Sequence, residues 1–157
     1  MTGKKDKTNS AKVVNKKAYR DFELVEKYEA GIVLKGTEVK SLRQGNADLS
    51  GSYARIEDSS CVLYEANISP YEKAGSDAHN PKRSRKLLFH KRELRKLRTQ
   101  LEQRGFTLVP LRVYFNSRGI AKVELAVARG KKQYDKRQTL TERRHKRDID
   151  RQMKKYR

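Results

Sequence analysis

Tryptophan is absent from this chain of 157 residues, cysteine occurs once, proline three times, and 19 acidic residues stand against 39 Lys and Arg. A lone Cys61 cannot form an intramolecular disulfide, and His79, His90 and His145 are too scattered for zinc-ligand spacing. Metal and redox chemistry are therefore not expected, nor is any cofactor. No apolar run approaches the length of a membrane span, and the early lysines are not followed by an apolar stretch. Neither insertion nor secretion is signalled, so a soluble cytoplasmic protein is expected. Catalytic signatures are missing too: there is no P-loop, no G-x-S-x-G and no H-E-x-x-H. Acidic pairs such as Asp148 and Asp150 lie among cations that satisfy them, and an enzyme is not expected.

What the chain has is positive charge, a formal +20, and it is unevenly spread. Residues 129–157 carry 13 Lys and Arg against 4 acids, and residues 1–20 carry 7 against 1. Both ends are poor in core-forming residues. A folded body with two basic arms predicts a polyanion partner, because displaced counterions make phosphate binding strong and salt-dependent. Nucleic acid is the first expectation. Adsorption to an anionic membrane would call for an amphipathic helix with a broad apolar face, and none is visible.

Residues 1–18 read as a flexible basic arm, with order beginning near Tyr19, because so few apolar anchors do not offset the entropy of ordering. From Asp21 to Leu34 the text predicts two short strands, or one strand bent at Ala30-Gly31. Gly36–Gly45 predicts a short helix with Thr37 as cap and Gly45 as stop. Residues 52–57 and 61–68 alternate as a hairpin, and 75–85 read as a polar surface loop. Leu94, Leu97 and Leu101 predict a helix over 90–104. Residues 107–115 and 120–128 form a second hairpin, in which Pro110 implies an edge or a bulge. The expected fold is mainly β: a small closed antiparallel OB-like barrel over 19–129 with two or three short helices, an open α+β sheet being the alternative.

Three segments carry the candidate chemistry. In GTEVKSLRQG, Glu38, Lys40 and Arg43 surround a small helix, either as RNA contacts or as a solvated charged face. In PKRSRKLLFH, Arg83, Arg85 and Lys86 precede Leu88 and His90. There cations can hold phosphates while a base or ribose packs on the leucine or stacks on the imidazole, although part of Leu87-Leu88-Phe89 must belong to the core. In GKKQYDKR, Tyr134 stands between the pairs Lys131-Lys132 and Lys136-Arg137, with Asp135 beside it, as an exposed ring suited to stacking. Downstream, His145, Ile149, Met153 and Tyr156 form a stripe too thin to hold a helix in water, so 130–157 is expected to be disordered when free and to fold on binding.

With these motifs in order, the chain resembles the SmpB family, the tmRNA-binding small protein B of bacterial trans-translation. The resemblance rests on Tyr28-Glu29-Ala30-Gly31, on Gly36-x-Glu38-Val39-Lys40-Ser41-Leu42-Arg43-x-Gly45, on Pro81-x-Arg83-x-Arg85-Lys86-Leu87-Leu88 and on Gly130 to Arg137. It implies an OB-like barrel that binds the tRNA-like domain of tmRNA and delivers it to stalled ribosomes. It also implies a tail that probes the empty mRNA channel and the decoding centre of the small subunit. Asn15, with Lys16 beside it, Glu29 and Leu88 fall where the family binds tmRNA; Tyr134 falls where it places a His or an aromatic that stacks in the decoding centre. The resemblance further implies a monomer in the bacterial cytoplasm, with neither DNA nor membrane among its partners. Where family members often carry an apolar pair near the end, this chain has Gln152-Met153. A ribosomal or ribosome-assembly protein using the same barrel on rRNA is the rival reading.

Overall fold

The computed structural model describes residues 12–103 and 105–131 and, further on, 141, 142, 144–147, 149 and 153. Its elements are β1 (Val13–Val14), α1 (Lys16–Asp21), β2 (Phe22–Ile32), α2 (Gly36–Arg43), β3 (Ala47–Asp48), β4 (Tyr53–Glu57), β5 (Ser60–Tyr64), β6 (Asn67–Ile68), β7 (Arg85–Leu88), α3 (Lys91–Leu101), β8 (Phe106–Phe115) and β9 (Ala121–Gly130). Six strands close a barrel in the order β8-β4-β5-β7-β2-β9, with β9 pairing back onto β8 and every neighbour antiparallel. The closed OB-like barrel is the expected fold; β3 and β6 add a separate two-stranded ribbon.

Alternation fills the barrel. Leu63, Leu87, Leu108, Val123, Leu125 and Val127 point inward, and α3 lays Leu97, with no exposed surface, against them. The second hairpin carries a device that alternation alone does not announce. Val109 and Leu111 face outward under α1, whereas Val113 and Phe115 face the interior. A slip of one residue is needed to change sides, and the register of β8 against β9 shifts between Pro110 and Arg112. Pro110 therefore marks a bulge in an inner strand and not an edge. In β2 the register irregularity lies between Leu24 and Glu26, and the strand runs through Ala30-Gly31 without interruption to Ile32.

Several boundaries differ from the sequence expectation. Residues 13–18, assigned above to the flexible arm, form β1 on β8, the cap of α1 and its first half. Asn15, 4% exposed, caps α1: its Oδ1 accepts from the Ala18 N–H at 3.1 Å, and its Nδ2 donates to the carbonyls of Leu49 and Pro110, both at 3.0 Å. Those partners are remote in sequence, so composition could not reveal them. The last strand runs to Gly130, and the Lys131 N–H donates to the Asp21 carbonyl at 2.9 Å. β5 ends at Tyr64, because Glu65 takes a φ of +57° and turns the chain toward the β3–β6 ribbon. Beyond Lys131 the described residues of the tail are helical and exposed, as their helix-forming composition permits.

The segment 75–85, expected as a surface loop, holds two buried side chains that pin α2. His79 shares hydrogen bonds with Thr37 Oγ1 at 2.9 Å and the Ile68 carbonyl at 3.0 Å, so Thr37 is tied up here and Lys35 occupies the cap position. Glu38 and Arg85 have no exposed surface. Glu38 accepts from Arg83 Nε at 2.8 Å, Arg83 Nη2 at 2.5 Å, Arg85 Nε at 3.0 Å and the Lys35 N–H at 2.7 Å. Arg85 spends its remaining donors on the carbonyls of Ala66, Arg83 and Pro81, at 2.6 to 3.0 Å. Both residues, named above as RNA contacts, are thus internal braces closed to a ligand. Gly45 ends α2 with a φ of +77°, a conformation that side chains resist.

Burial works to raise the Glu38 pKa, but hydrogen bonds from Arg83 and Lys35 and the Arg85 charge outweigh it and hold the carboxyl below its ordinary 4.5. A depressed carboxyl contributes stability that is fully present above the unfolded pKa and is lost as pH falls through the folded one. Glu38→Gln should therefore destabilise the fold by about 3–5 kcal/mol at neutral pH, and urea unfolding between neutral pH and acid should show a smaller acid loss in the variant. Leu97→Ala should cost about 2–5 kcal/mol in the same assay.

Candidate nucleic-acid interface

With Glu38 and Arg85 internal, the candidate contacts reduce to what the barrel presents outward. On β2, Tyr28, Ala30 and Ile32 face the core, which leaves Lys27, Glu29 and Gly31 on the outer wall. On β7, Arg85 and Leu87 are buried, while Lys86 and Leu88 are exposed. Register then brings the two strands' candidates together: Gly31 pairs with Leu88 on one side and Lys122 on the other, and Lys122 pairs with Tyr114. Leu88, Gly31, Lys122 and Tyr114 form one row across four strands, with Glu29 one step along β2. Gly31 is what lets Leu88 lie across β2, since a Cβ there would stand only 3.3 Å from the Leu88 Cβ. Leu88 remains 54% exposed, joined among the exposed apolar residues by Val33 and Ile120.

This surface is mixed in charge. The Tyr114 hydroxyl donates to Glu29 Oε2, and Lys122 Nζ lies 3.9 Å from Oε1, while the Glu29 side chain stays 56% exposed. Arg112 and Lys27 (3.6 Å) both pair with Glu124. Burial first, and then the hydrogen bond to Glu29, push the Tyr114 phenol up to about 12, so it remains a donor at neutral pH. A carboxylate held by a neutral phenol beside exposed leucine, isoleucine and valine suits base edges, ribose hydroxyls and ring faces better than phosphate.

Cations rim the patch. The Arg43 guanidinium stacks over Phe115 at 4.9 Å and reaches the turn of the β8–β9 hairpin near Gly119, at the Ile120 end of the row. Lys40 lies over Tyr71, 5.2 Å from the ring centroid. Lys86 and His90 are exposed on either side of Leu88, and Arg83, partly exposed, donates to the Val33 carbonyl as well as to Glu38. Lys16 is exposed on α1, which packs on the outer wall of β8, and it does not join the row. Of the tail residues, Lys131 is described and half-buried, and Ile149 and Met153 are exposed; Lys132, Tyr134, Asp135, Lys136 and Arg137 lie outside the described residues. Tyr114, Lys122, Gly31 and Ile120 are the residues that sequence reasoning missed. The alternation of the second hairpin held the signal, because Val113, Phe115, Ala121 and Val123 facing inward turn Tyr114 and Lys122 outward. Cys61 is buried and its thiol is pushed up to about 12 by that burial, so it offers no thiolate nucleophile.

Comparison with known proteins points the same way. The family model described as SmpB protein matches residues 12–155. The SsrA-binding protein of Thermus thermophilus is 58% identical over 123 residues, covering 78% of this chain and 85% of its own. That of Sulfurihydrogenibium sp. is 51% identical over 147 residues, covering 92% and 96%. A solved structure described as "tmRNA-SmpB: a journey to the center of the bacterial ribosome" superposes with a TM-score of 0.68 at 55% identity, covering 78% of this chain and 86% of that one.

The Glu29–Tyr114 pair has a spectroscopic signature. Glu29→Gln should lower the Tyr114 pKa from about 12 toward its ordinary 10 without reaching it, because burial is the larger cause. Titration of the tyrosine carbon resonance would show it.

Proposed function

The chain belongs to the SmpB family, and we infer from that membership how its surfaces divide the work. The protein is a tmRNA-binding adaptor of trans-translation, a bacterial cytoplasmic protein that delivers tmRNA to stalled ribosomes, and it is not an enzyme. Its action is recognition without bond chemistry. The Glu29–Leu88 face receives the tRNA-like domain of tmRNA: Glu29 accepts from base edges or 2′-hydroxyls, Leu88 packs on a ribose or base, and Lys86, His90, Lys40, Arg43 and Lys122 draw in the backbone around them. The observation that carries this reading is the convergence of Glu29 and Leu88 on one exposed face of adjacent strands, with Tyr114 holding the carboxylate. Asn15 serves the same face indirectly, by tying α1 and β8 together.

The tail takes the second role. Lys131, Lys132, Tyr134, Asp135, Lys136 and Arg137 lead into the small-subunit decoding centre, where Tyr134 stacks, and the helical stretch with Ile149 and Met153 lies along the empty mRNA channel. An intact message would occupy the same cationic path and compete for it sterically and electrostatically. A bound tail thereby reports that no message is there. The protein works as a monomer, with no role for DNA or membrane.

Two variants separate body from tail. Truncation after Lys131, which spares the whole of β9, should leave affinity for tmRNA largely unchanged while abolishing peptide tagging in a reconstituted translation system. Glu29→Ala with Leu88→Ala should weaken tmRNA binding by about tenfold or more in a gel-shift or anisotropy assay and leave the fold intact. Full tmRNA affinity in a folded double mutant would refute the assigned face.

A further inference from the structure

The exposed side of α3 stands outside the face described so far and carries five cations within eight residues. Lys91, Arg92, Arg95, Lys96 and Arg98 all lie on this helix of eleven residues and all are exposed. Its apolar stripe, Leu94, Leu97 and Leu101, is spent on the barrel. The two acids that flank these cations are Glu93, which accepts from the His90 N–H at 3.2 Å, and Glu102, which ends the helix. Lys96 is paired with Glu26 at 2.5 Å, and Gln100 donates to the same carboxylate; Lys96 first and Gln100 next hold it down at about 2. Among the described residues Lys91, Arg92 and Arg95 make no ion pair, and Arg98 donates only to the Asp58 carbonyl.

Lys91, Arg95 and Arg98 follow one another at i, i+4 and i+7, one stripe along about 10 Å of helix. With Asp58 and Ser59 of the β4–β5 turn and Leu94, they line a shallow recess of about 240 Å³. Their span is long enough to meet several successive phosphates of one strand. The stripe is also continuous with the face above: Leu88 is joined to Lys91 by Phe89 and His90 alone, and a smaller recess lined by Lys86, Leu88, Phe89 and Leu94 connects the two.

We propose that the Lys91–Arg95–Arg98 stripe is a second, phosphate-binding surface for the same RNA, taking the sugar-phosphate backbone of the tRNA-like domain where it continues past Leu88. The proposal rests on the reading of the Glu29–Leu88 face. The two surfaces differ in chemistry: the row reads edges and rings, whereas the stripe supplies point charges. Asp58, on the rim, repels phosphate from the turn side and sets the strand over the helix.

The test is a salt series of fluorescence-anisotropy titrations with the full-length protein and a labelled transcript of a tmRNA tRNA-like domain. Each stripe contact that releases counterions adds slightly less than one to the slope of log K against log salt. Lys91→Gln with Arg95→Gln and Arg98→Gln should therefore make the slope shallower by about 2 to 3, and the charge-keeping Lys91→Arg, Arg95→Lys, Arg98→Lys should restore it. Thermal melting should hardly change, since the leucine stripe is untouched. Glu29→Ala with Leu88→Ala should instead lower affinity at nearly constant slope, so a failure of that face and a failure of the stripe are read separately. An unchanged slope in the glutamine variant would overturn the proposal. So would a slope lost only toward ribosomes free of tmRNA, which would assign the stripe to ribosomal RNA.

Discussion

Glu38 is a carboxylate with no exposed surface, held by two guanidinium groups and a backbone N–H, and the placement of α2 against β7 follows from that arrangement. Arg85 enters from β7 and Arg83 from the turn before it, so the contact ties α2 to the strand that presents Lys86 and Leu88. Arg85 then gathers the carbonyls of Ala66, Pro81 and Arg83, which fixes the path of a long connection that otherwise has little regular structure. Two buried ions gain little net stability over a hydrophobic pair of the same shape, because desolvation opposes their attraction. Their value is geometric. A guanidinium accepts only one placement that satisfies all its donors, and losing its partner leaves a charge stranded in the interior.

The barrel's outer wall is divided by the same logic of what must be covered. α1 lies over Val109, Leu111, Ala126 and Ala128, and the bulge after Pro110 is what turns that part of β8 outward to meet it. α3 covers the other apolar opening with Leu94, Leu97 and Leu101. Among the described residues, what stays uncovered is the wall where β7, β2, β9 and β8 run side by side. Gly31 keeps it low enough for Leu88 to lie across. The exposed leucine, valine and isoleucine on this wall, set among Glu29, Tyr114 and Lys122, form a surface shaped by pairing register and not by any single motif. Exposed cations stand at its margins, Lys40 and Arg43 on α2 and Lys91, Arg95 and Arg98 on α3.

The residues alone made much of this legible. Period-two alternation announced both hairpins, the spacing of Leu94, Leu97 and Leu101 announced α3, and Gly45 announced the end of α2, because each signal arises within a few neighbouring residues. Glu29 and Leu88 were marked by resemblance, and the structure brings them onto adjacent strands. Glu38, Arg85 and Asn15 lie in stretches that read as solvated and are buried in the structure, all three for one reason. A charged or amide side chain in a polar stretch is solvated unless a partner remote in sequence buries it, and here the partners are 45 residues away for Arg83 with Glu38 and 95 for Asn15 with Pro110. Tyr114 and Lys122 went unremarked because a polar residue facing outward acquires meaning only from the strand beside it.

The sequence by itself determined the sign and distribution of charge, the lack of an intramolecular disulfide and of a recognisable catalytic motif, the two hairpins with α2 and α3, and membership of a family. These depend on composition and on interactions between near neighbours, which a linear text preserves. The tertiary structure alone decided which charges are buried braces and which stay exposed, where the sheet slips its register, and which four strands place Leu88, Gly31, Lys122 and Tyr114 in one row. Those outcomes are set by burial and pairing between segments far apart along the chain, and the free energy of each depends on what the fold brings next to it.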